Sequence, residues 1–229
     1  MKDKEIYIKV TKDGPYIVYG ISSIESQEIL TDKNGICIKY GNKKSFNAKT
    51  EPTALCRCGK SQNAPFCDGN HIKIQFNGKE TASFEPILKN ATKYEGINLT
   101  LMDNEKFCAF ARFCDANGSI WNLINVGNEV ADADAIREAR LCPSGRLILF
   151  DKNGNPLDSA LSQSVSVLED TGLKISGPIW VKGGIRVESE DGKSYEIRNK
   201  QTLCRCGQSK NKPFCDSTHM HIKFRAKNN

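Results

Sequence analysis

Residues 56–71 of this chain read Cys56-Arg57-Cys58-Gly59-Lys60-Ser61-Gln62-Asn63-Ala64-Pro65-Phe66-Cys67-Asp68-Gly69-Asn70-His71, and residues 204–219 repeat the pattern almost letter for letter. Six of the ten cysteines and two of the three histidines of the chain lie in these two copies. Each copy offers three thiolates and one imidazole within a short segment. Such a group is a four-coordinate ligand set for zinc or for a small iron–sulfur cluster.

The spacing of the first cysteine pair distinguishes between these metals. Structural zinc sites usually place two cysteines about two to four residues apart, whereas a single residue, Arg57 or Arg205, separates the pair here. In an extended segment, both sulfurs of a Cys-x-Cys pair point to the same side, so both can bind one iron of a two-iron cluster. The later Cys and His of each copy would then bind the other iron. Structural zinc stays open as the alternative.

Both copies resemble the CDGSH (mitoNEET-type) iron–sulfur domain, whose pattern is Cys-x-Cys-x2-Ser/Thr-x3-Pro-x-Cys-Asp-Gly-Ser/Ala/Thr-His. Two positions depart from it: Asn70 replaces a small residue, and Ser217 replaces the glycine. A glycine there permits a positive φ, so we expect the second cluster to be the more labile one. The resemblance implies a [2Fe-2S] cluster in each copy, with Cys56, Cys58, Cys67 and His71 as ligands in the first and Cys204, Cys206, Cys215 and His219 in the second.

Each motif also carries an arginine, a serine and an aspartate at fixed positions. The serine hydroxyl and the backbone N–H groups near the neighbouring glycine are predicted to donate hydrogen bonds to cluster or ligand sulfur. The arginine either offsets cluster charge or extends into solvent. The aspartate is predicted to cap a short helix that carries the histidine. These residues are Arg57, Gly59, Ser61 and Asp68 in the first copy and Arg205, Gly207, Ser209 and Asp216 in the second.

The motifs belong to a longer internal repeat. Alternating apolar runs at residues 14–20 and 177–183 precede them and predict a strand in each copy, and similar runs at 72–76 and 221–224 follow them. The first copy is longer by 15 residues between the strand and the motif. Each unit is too small to have much core of its own. We therefore expect two small β-rich units paired about a pseudo-twofold axis, as in homodimers of single-motif CDGSH proteins.

Three more cysteines lie between the motifs: Cys108, Cys114 and Cys142, the last followed by Pro143. The segment resembles a divergent single-cluster ferredoxin, whose ligands follow Cys-x2-Cys-x2-Cys with a later Cys-Pro. Ala111 stands at the middle ligand position and cannot bind iron. Three thiolates predict a [3Fe-4S] cluster, or a [4Fe-4S] cluster with one labile iron. A relic site without a cluster stays open as the alternative.

The pattern over residues 91–152 fits an α+β ferredoxin-like unit, with strands at 97–102 and 146–150 and a helix at 132–140. Cys37 lies in an alternating apolar run and is predicted to be a core residue, with the missing fourth ligand of the central cluster as the alternative. The predicted fold class is α+β, with an N-terminal CDGSH unit at 1–90, a central ferredoxin-like single-cluster domain at 91–152 and a C-terminal CDGSH unit at 153–229.

Composition fits a compact protein, with 38% hydrophobic and 26% charged residues among 229. No apolar run approaches the roughly 20 residues that cross a bilayer, and residues 1–5 lack the hydrophobic part of a secretory signal. We therefore expect a cytoplasmic protein without a membrane partner, in which cysteines at metal spacing are ligands. The net charge of +6 would fall to about +2 with the three clusters bound, and Lys and Arg are dispersed, so nucleic acid is not an expected partner.

The sequence has no nucleotide-binding glycine loop, nucleophile elbow or zinc-hydrolase ligand set, so we expect no enzyme. We predict one-electron transfer among three centres, with His71 and His219 coupling the [2Fe-2S] clusters to pH. The alternative is a protein for cluster storage or transfer, or for redox or iron sensing. Expected partners are redox proteins or apo-proteins that accept clusters, acidic ones among them, and the chain is expected to be a monomer with an internal pseudo-dimer.

Overall fold

A computed structural model describes residues 5–227 and shows an α+β chain in which strands dominate. The residues before position 5, on which the predicted lack of a secretory signal partly rested, lie outside the described residues. Between residues 5 and 227, no helix is long and apolar enough to cross a membrane. The strands are β1 (Tyr7–Val10), β2 (Tyr16–Tyr19), β3 (Ser23–Thr31), β4 (Cys37–Asn47), β5 (Thr53–Leu55), β6 (Thr92–Glu95), β7 (Thr100–Asp103), β8 (Leu147–Phe150), β9 (Ser164–Asp170), β10 (Ile175–Lys182), β11 (Arg186–Glu188) and β12 (Lys200–Leu203). The α-helices are α1 (Asn70–Lys73), α2 (Ile120–Leu123), α3 (Glu129–Leu141) and α4 (Thr218–His221), with 3₁₀ turns at Ile87–Asn90, Glu105–Phe107 and Phe113–Asp115.

Two sheets combine strands from both terminal segments. The first sheet has the order β11-β1-β2-β5, and the second has the order β12-β10-β9-β3-β4. In each sheet, a strand from one half of the chain pairs in parallel with a strand from the other half. These pairs are β11 with β1 in the first sheet and β3 with β9 in the second. The longer first copy places β4 at the edge of the second sheet, antiparallel to β3. The two terminal segments are therefore interleaved.

A single hydrophobic core joins the terminal segments. Its members are apolar side chains from both sheets, and each such side chain contributes about 1.5–3 kcal/mol when it is fully buried. This core belongs to neither terminal segment alone, because its members come from both. Fully buried members include Ile8, Tyr16 and Leu55 from the N-terminal segment and Val167, Ile185 and Leu203 from the C-terminal segment.

The strands predicted before each motif are confirmed as β2 and β10. They pair with β5 and β12, which lead directly into the two motifs. The alternating runs after the motifs are not strands, because they continue α1 and α4 into a turn. Gln75 and Lys223 take positive φ angles of 49° and 50° in these turns. A run of five residues is too short for alternation to distinguish a strand from a helix end.

The central segment has a sheet of its own, with the order β6-β7-β8, and a separate core. The predicted helix lies within α3, and Asn128 caps it by accepting a hydrogen bond from the N–H of Ala131 at 2.9 Å. The predicted strands correspond to β7, which begins three residues later than expected, and β8. The short helix α2 lies between these strands in the chain and precedes α3.

Candidate metal centres

The first cysteine of each motif directly follows a strand, Cys56 after β5 and Cys204 after β12. Backbone hydrogen bonds close each motif into a loop, since the first cysteine donates to the proline carbonyl and the third cysteine donates back to the strand. In the first copy, Cys56 N lies 2.8 Å from Pro65 O and Cys67 N lies 2.9 Å from Ala54 O. In the second copy, Cys204 N lies 2.8 Å from Pro213 O and Cys215 N lies 2.9 Å from Thr202 O. The same local geometry is therefore built twice.

The predicted ligands of each motif lie in two pairs. In the first motif, the Sγ atoms of Cys56 and Cys58 are 3.8 Å apart, and Cys67 Sγ is 3.3 Å from His71 Nδ1. Among residues 5–227, no three His, Cys, Asp or Glu side chains are grouped around one point suitable for a single metal ion. Two donor pairs fit a binuclear cluster, which takes one pair on each iron. The second motif repeats the distances, 3.8 Å for Cys204–Cys206 and 3.4 Å for Cys215–His219.

Hydrogen-bond donors surround the first sulfur of each motif. The Cys58 thiol, followed by the backbone N–H groups of Ser61 and Gly59, lowers the pKa of Cys56 to about 6, although burial opposes the shift. The Cys206 thiol and the N–H groups of Ser209 and Gly207 likewise lower the pKa of Cys204 to about 7. These donors favour negative charge on sulfur. The sites therefore fit an anionic iron–sulfur cluster.

The serine hydroxyls have other partners than the predicted cluster sulfur. Ser61 Oγ donates to Phe66 O at 2.6 Å and accepts from the N–H of Asn63 at 3.0 Å. Both hydroxyls therefore stabilise their own loops. The backbone N–H groups of Ser61 and Ser209, rather than the hydroxyls, donate to the sulfurs of Cys56 and Cys204. In the second copy, Ser209 Oγ donates to Phe214 O at 2.7 Å and accepts from Asn211 N at 3.0 Å.

The arginines between the paired cysteines are buried, with 1% of Arg57 and 2% of Arg205 exposed, so their extension into solvent is wrong. Arg57 donates to Thr11 O at 2.7 Å and also to Gly78 O. Arg205 forms an ion pair with Glu169 at 2.7 Å. Each guanidinium therefore ties its loop to a neighbouring segment of the chain.

The aspartates hold the start of the short helices, as predicted. Asp68 Oδ1 accepts from the N–H of Asn70, the first residue of α1, at 3.1 Å, and its Oδ2 accepts from the N–H of Gln62 at 2.8 Å. The carboxylate therefore joins the helix that carries His71 to the middle of the loop. Asp216 makes the corresponding bonds to Thr218 N at 3.1 Å and Lys210 N at 2.7 Å.

The two sites differ in burial. Cys215 and His219 are buried, whereas Cys67 and His71 are partly open to solvent. Burial lowers the pKa of His219 to about 4. Ser217 does take the left-handed backbone, with φ 69°, that its position in the motif predicted. The difference in burial runs against the order of lability expected from Ser217 alone, because the first site is the more open to solvent.

The two motifs touch at Gly59 and Gly207, a contact that we call the seam. A Cβ atom on Gly59 would lie 2.6 Å from Cys206 O, and one on Gly207 would lie 2.6 Å from Cys58 O. Both glycines have positive φ, 73° and 78°. Only glycine permits both the backbone angle and the close approach. The two sites are therefore in direct backbone contact.

The three central cysteines line one cavity of about 30 Å³, together with Ala111 at the position that lacks a ligand. Burial raises the pKa of Cys114 to about 12, with Asp115 and the neighbouring thiols of Cys142 and Cys108 adding to the shift. Cys37 does not line this cavity. It is buried with Ile29, Ala111 and Phe113, which confirms its predicted place in the core.

Arg146 is a candidate functional residue that the sequence analysis missed. It is buried, and its Nε lies 3.4 Å from Asp103 Oδ1. Burial lowers the pKa of Arg146, but the nearby thiol of Cys108, with Asp103, Cys142 and Cys114, raises it overall. A buried cation beside three thiols fits an anionic cluster in this cavity. The sequence pattern indicated only that a strand begins near Arg146, because alternation alone does not show which loop a side chain faces.

The central site adjoins the second motif. The ring centroids of Phe107 and Phe214 lie 5.3 Å apart, and the Arg198 guanidinium lies 4.6 Å from the first ring and 4.8 Å from the second. Arg198 also donates to the carbonyl of Ser144, in the Cys142 loop, at 3.4 Å. In the first motif, Phe66 takes the place of Phe214 and packs against Phe46 instead. The central site is thus joined to the second motif by a contact that the first motif lacks.

Three ligand sets of this chemistry define an iron–sulfur protein, and comparison with known families agrees. Residues 13–72 and 176–220 match the family described as iron-binding zinc finger, CDGSH type, and residues 94–152 match the divergent 4Fe-4S mono-cluster family. The chain consists of two CDGSH-type regions that flank a divergent single-cluster region, which confirms the architecture predicted from the motifs. No curated protein and no solved structure matches the chain.

Proposed function

We propose that this iron–sulfur protein transfers single electrons among three clusters in one chain. The observation that carries the proposal is the contiguity of the three ligand sets. The seam joins the two CDGSH-type sites through the backbone of Gly59 and Gly207, and the contact between Phe107 and Phe214 joins the central site to the second motif. A bound cluster supplies a centre that takes up and releases one electron.

The proposal assigns a [2Fe-2S] cluster to each four-ligand set. The central set takes a [3Fe-4S] cluster, or a [4Fe-4S] cluster with one labile iron, on Cys108, Cys114 and Cys142. The backbone N–H donors near each first cysteine would stabilise the more negative reduced state. The imidazoles of His71 and His219 make cluster stability and potential depend on pH, because a histidine binds metal only in its neutral form.

We also propose that a pseudo-twofold axis relates the terminal segments. The strand order β11-β1-β2-β5 corresponds to β3-β9-β10-β12, and in each case the strand given first comes from the other half of the chain. The reciprocal contacts of Gly59 and Gly207 support the same relation. The proposal also includes that the protein is a cytoplasmic monomer, that it exchanges electrons with other proteins, and that it catalyses no reaction of its own.

The proposal is tested by measuring iron, zinc and acid-labile sulfide per chain after anaerobic purification, followed by reductive titration with EPR. Full loading predicts about 8 sulfide, with about 7 iron if the central cluster is [3Fe-4S] and about 8 iron if it is [4Fe-4S]. About 4 of each would mean that the central site is empty. Two zinc ions without sulfide, or clusters that accept no electron reversibly, would overturn the proposal.

A second candidate function, transfer of a [2Fe-2S] cluster to apo-proteins, is favoured by the partial exposure of Cys67 and His71 in the first site. We expect His71→Cys to slow transfer to an apo-ferredoxin, followed by circular dichroism, because the imidazole nitrogen is replaced by a more strongly bound thiolate. His219→Cys, in the buried site, is the matched control. Equal slowing by both variants would contradict the assignment to the first site, and no transfer by the unaltered protein would exclude the function.

A further inference from the structure

An open cleft of about 580 Å³ runs along the seam between the two CDGSH-type loops. Its walls include Cys58, a predicted cluster ligand, and Gly207 from the opposite loop. A second cleft of about 370 Å³ is lined by Gly59, and the two clefts share Lys60 and Ile74. We call these two clefts together the seam cleft. A molecule bound there would contact the backbone of both cluster loops.

Every lysine and arginine side chain that lines the seam cleft is positive, and no lining side chain among the described residues carries a carboxylate to offset them. The nearest carboxylates of the loops, Asp68 and Asp216, are held by backbone N–H groups within their own loops. None of the ion pairs found between residues 5 and 227 involves a cation of the cleft. These cations are Lys60, Lys79, Lys210, Lys212, Arg225 and Lys227.

An exposed apolar residue lies between these charges. Ile74 lines both parts of the cleft and is 45% exposed, and Ile72 beside it is 74% exposed. An apolar centre within a charged rim is the usual anatomy of a transient protein interface. Complementary charge in such an interface raises the association rate and selects the partner. Nucleic acid is a poorer fit, because the one aromatic side chain of the lining, Phe76, is buried and offers no stacking surface.

We propose that the seam cleft is the docking surface for an acidic face of a redox partner protein, an inference that rests on the proposed electron transfer. The partner's carboxylates would meet the lysines, and its apolar centre would pack on Ile74. Docking there brings the partner against the Cys58 side of the first site and the Gly207 side of the second. Electrons would therefore enter or leave the chain at the seam.

The test uses a double variant, Lys60→Glu with Lys210→Glu, and a matched control of equal charge change, Lys33→Glu with Lys39→Glu, on exposed positions of the β3–β4 hairpin. Binding is probed with a fluorescent oligoglutamate peptide by anisotropy, at low and at raised ionic strength. We expect the cleft variant to weaken binding at least roughly tenfold at low salt, and the control to change it little. Equal weakening by both variants would overturn the proposal. The proposal would also be overturned if a single-stranded DNA oligonucleotide of the same charge bound more tightly than the peptide and this binding disappeared in the cleft variant.

Electron exchange gives a second, independent result. The loaded protein is reduced with dithionite and then oxidised by ferricyanide, an anion that becomes ferrocyanide as it takes one electron, or by cationic hexaammineruthenium(III). The rate constant for ferricyanide divided by that for hexaammineruthenium(III) should fall roughly tenfold or more in the cleft variant, because the variant repels the anion and attracts the cation. In the control this ratio should stay near its original value. An unchanged ratio would overturn docking at the cleft while leaving electron transfer intact. Failure of any reversible electron uptake would overturn the proposed function, whereas the peptide result would still decide whether the cleft binds acidic chains.

Discussion

The ring of Phe107 packs edge-on against the ring of Phe214, with 5.3 Å between their centroids. Phe107 directly precedes Cys108 of the central site, and Phe214 directly precedes Cys215 of the second motif. The two cysteines are close enough that Cys108 is one of the groups that raise the pKa of Cys215, after burial, Cys204 and Asp216. The contact therefore orders the three sites: the central site lies next to the second motif, and the seam leads on to the first.

If the proposed clusters are bound, this order predicts magnetic coupling between the central cluster and the [2Fe-2S] cluster of the second motif. Reduced protein that lacks the first cluster, through Cys56→Ser with Cys58→Ser, should keep an EPR signal broadened by this coupling. Protein that lacks the second cluster, through Cys204→Ser with Cys206→Ser, should lose the broadening. Iron content must fall by the same amount in both variants. Loss of the broadening in the first variant alone would refute the order.

The seam glycines predict a large loss of stability on substitution. Gly59→Ala places a Cβ atom 2.6 Å from Cys206 O and also strains a backbone with φ 73°. Gly35→Ala is the control, because Gly35 has φ 82° and no neighbouring atom within 4 Å of the added Cβ. We expect the control to lose about 1 kcal/mol of unfolding free energy, from strain alone, and Gly59→Ala to lose clearly more. Denaturant unfolding measures both, and equal losses would mean that the loops do not meet as described.

Much of the site was predictable from local sequence, because both ligand spacing and the helix-capping aspartates act over a few residues. Asp68 and Asp216 needed only a free N–H two residues ahead. The interleaving of the sheets was not predictable, since the pairing of β3 with β9 joins strands about 140 residues apart and leaves no trace in the alternation of either strand. The partner of the Ser61 hydroxyl was misjudged, and the position of Arg57 was left open, for a related reason. Their partners, the carbonyls of Phe66 and Thr11, are backbone atoms that residue types do not reveal.

The environment of Glu138 leads us to expect that the free energy of unfolding depends on pH. Its side chain is fully buried in α3, and burial raises its pKa to about 7, with Asp115 and Asp134 adding to the shift and the N–H of Asn117 opposing it. The folded state thus favours the protonated form, so this contribution is complete below the unfolded pKa near 4.5 and is lost as the pH rises through about 7. We expect Glu138→Gln to reduce the fall in unfolding free energy between these pH values by roughly 2 kcal/mol. Denaturant unfolding at the two pH values provides the measurement, and Glu129→Gln at the exposed start of α3 is the control. A variant whose stability keeps the original pH dependence would show that Glu138 is ionised in the folded protein throughout.

We expect Arg146 to influence the reduction potential of the proposed central cluster. Its guanidinium is held by Asp103 and lies near the thiols of Cys108, Cys114 and Cys142, so it offsets charge that grows when the cluster is reduced. Arg146→Gln removes the positive charge and should lower the reduction potential of the proposed central cluster by on the order of 50 mV, while the potentials of the two proposed [2Fe-2S] clusters stay unchanged. Arg146→Lys retains the charge and should restore most of the shift. EPR-monitored redox titration separates the three centres. A purely structural role would lower the iron content of both variants alike without moving the potential of the cluster that remains, because a structural defect changes occupancy rather than the local field.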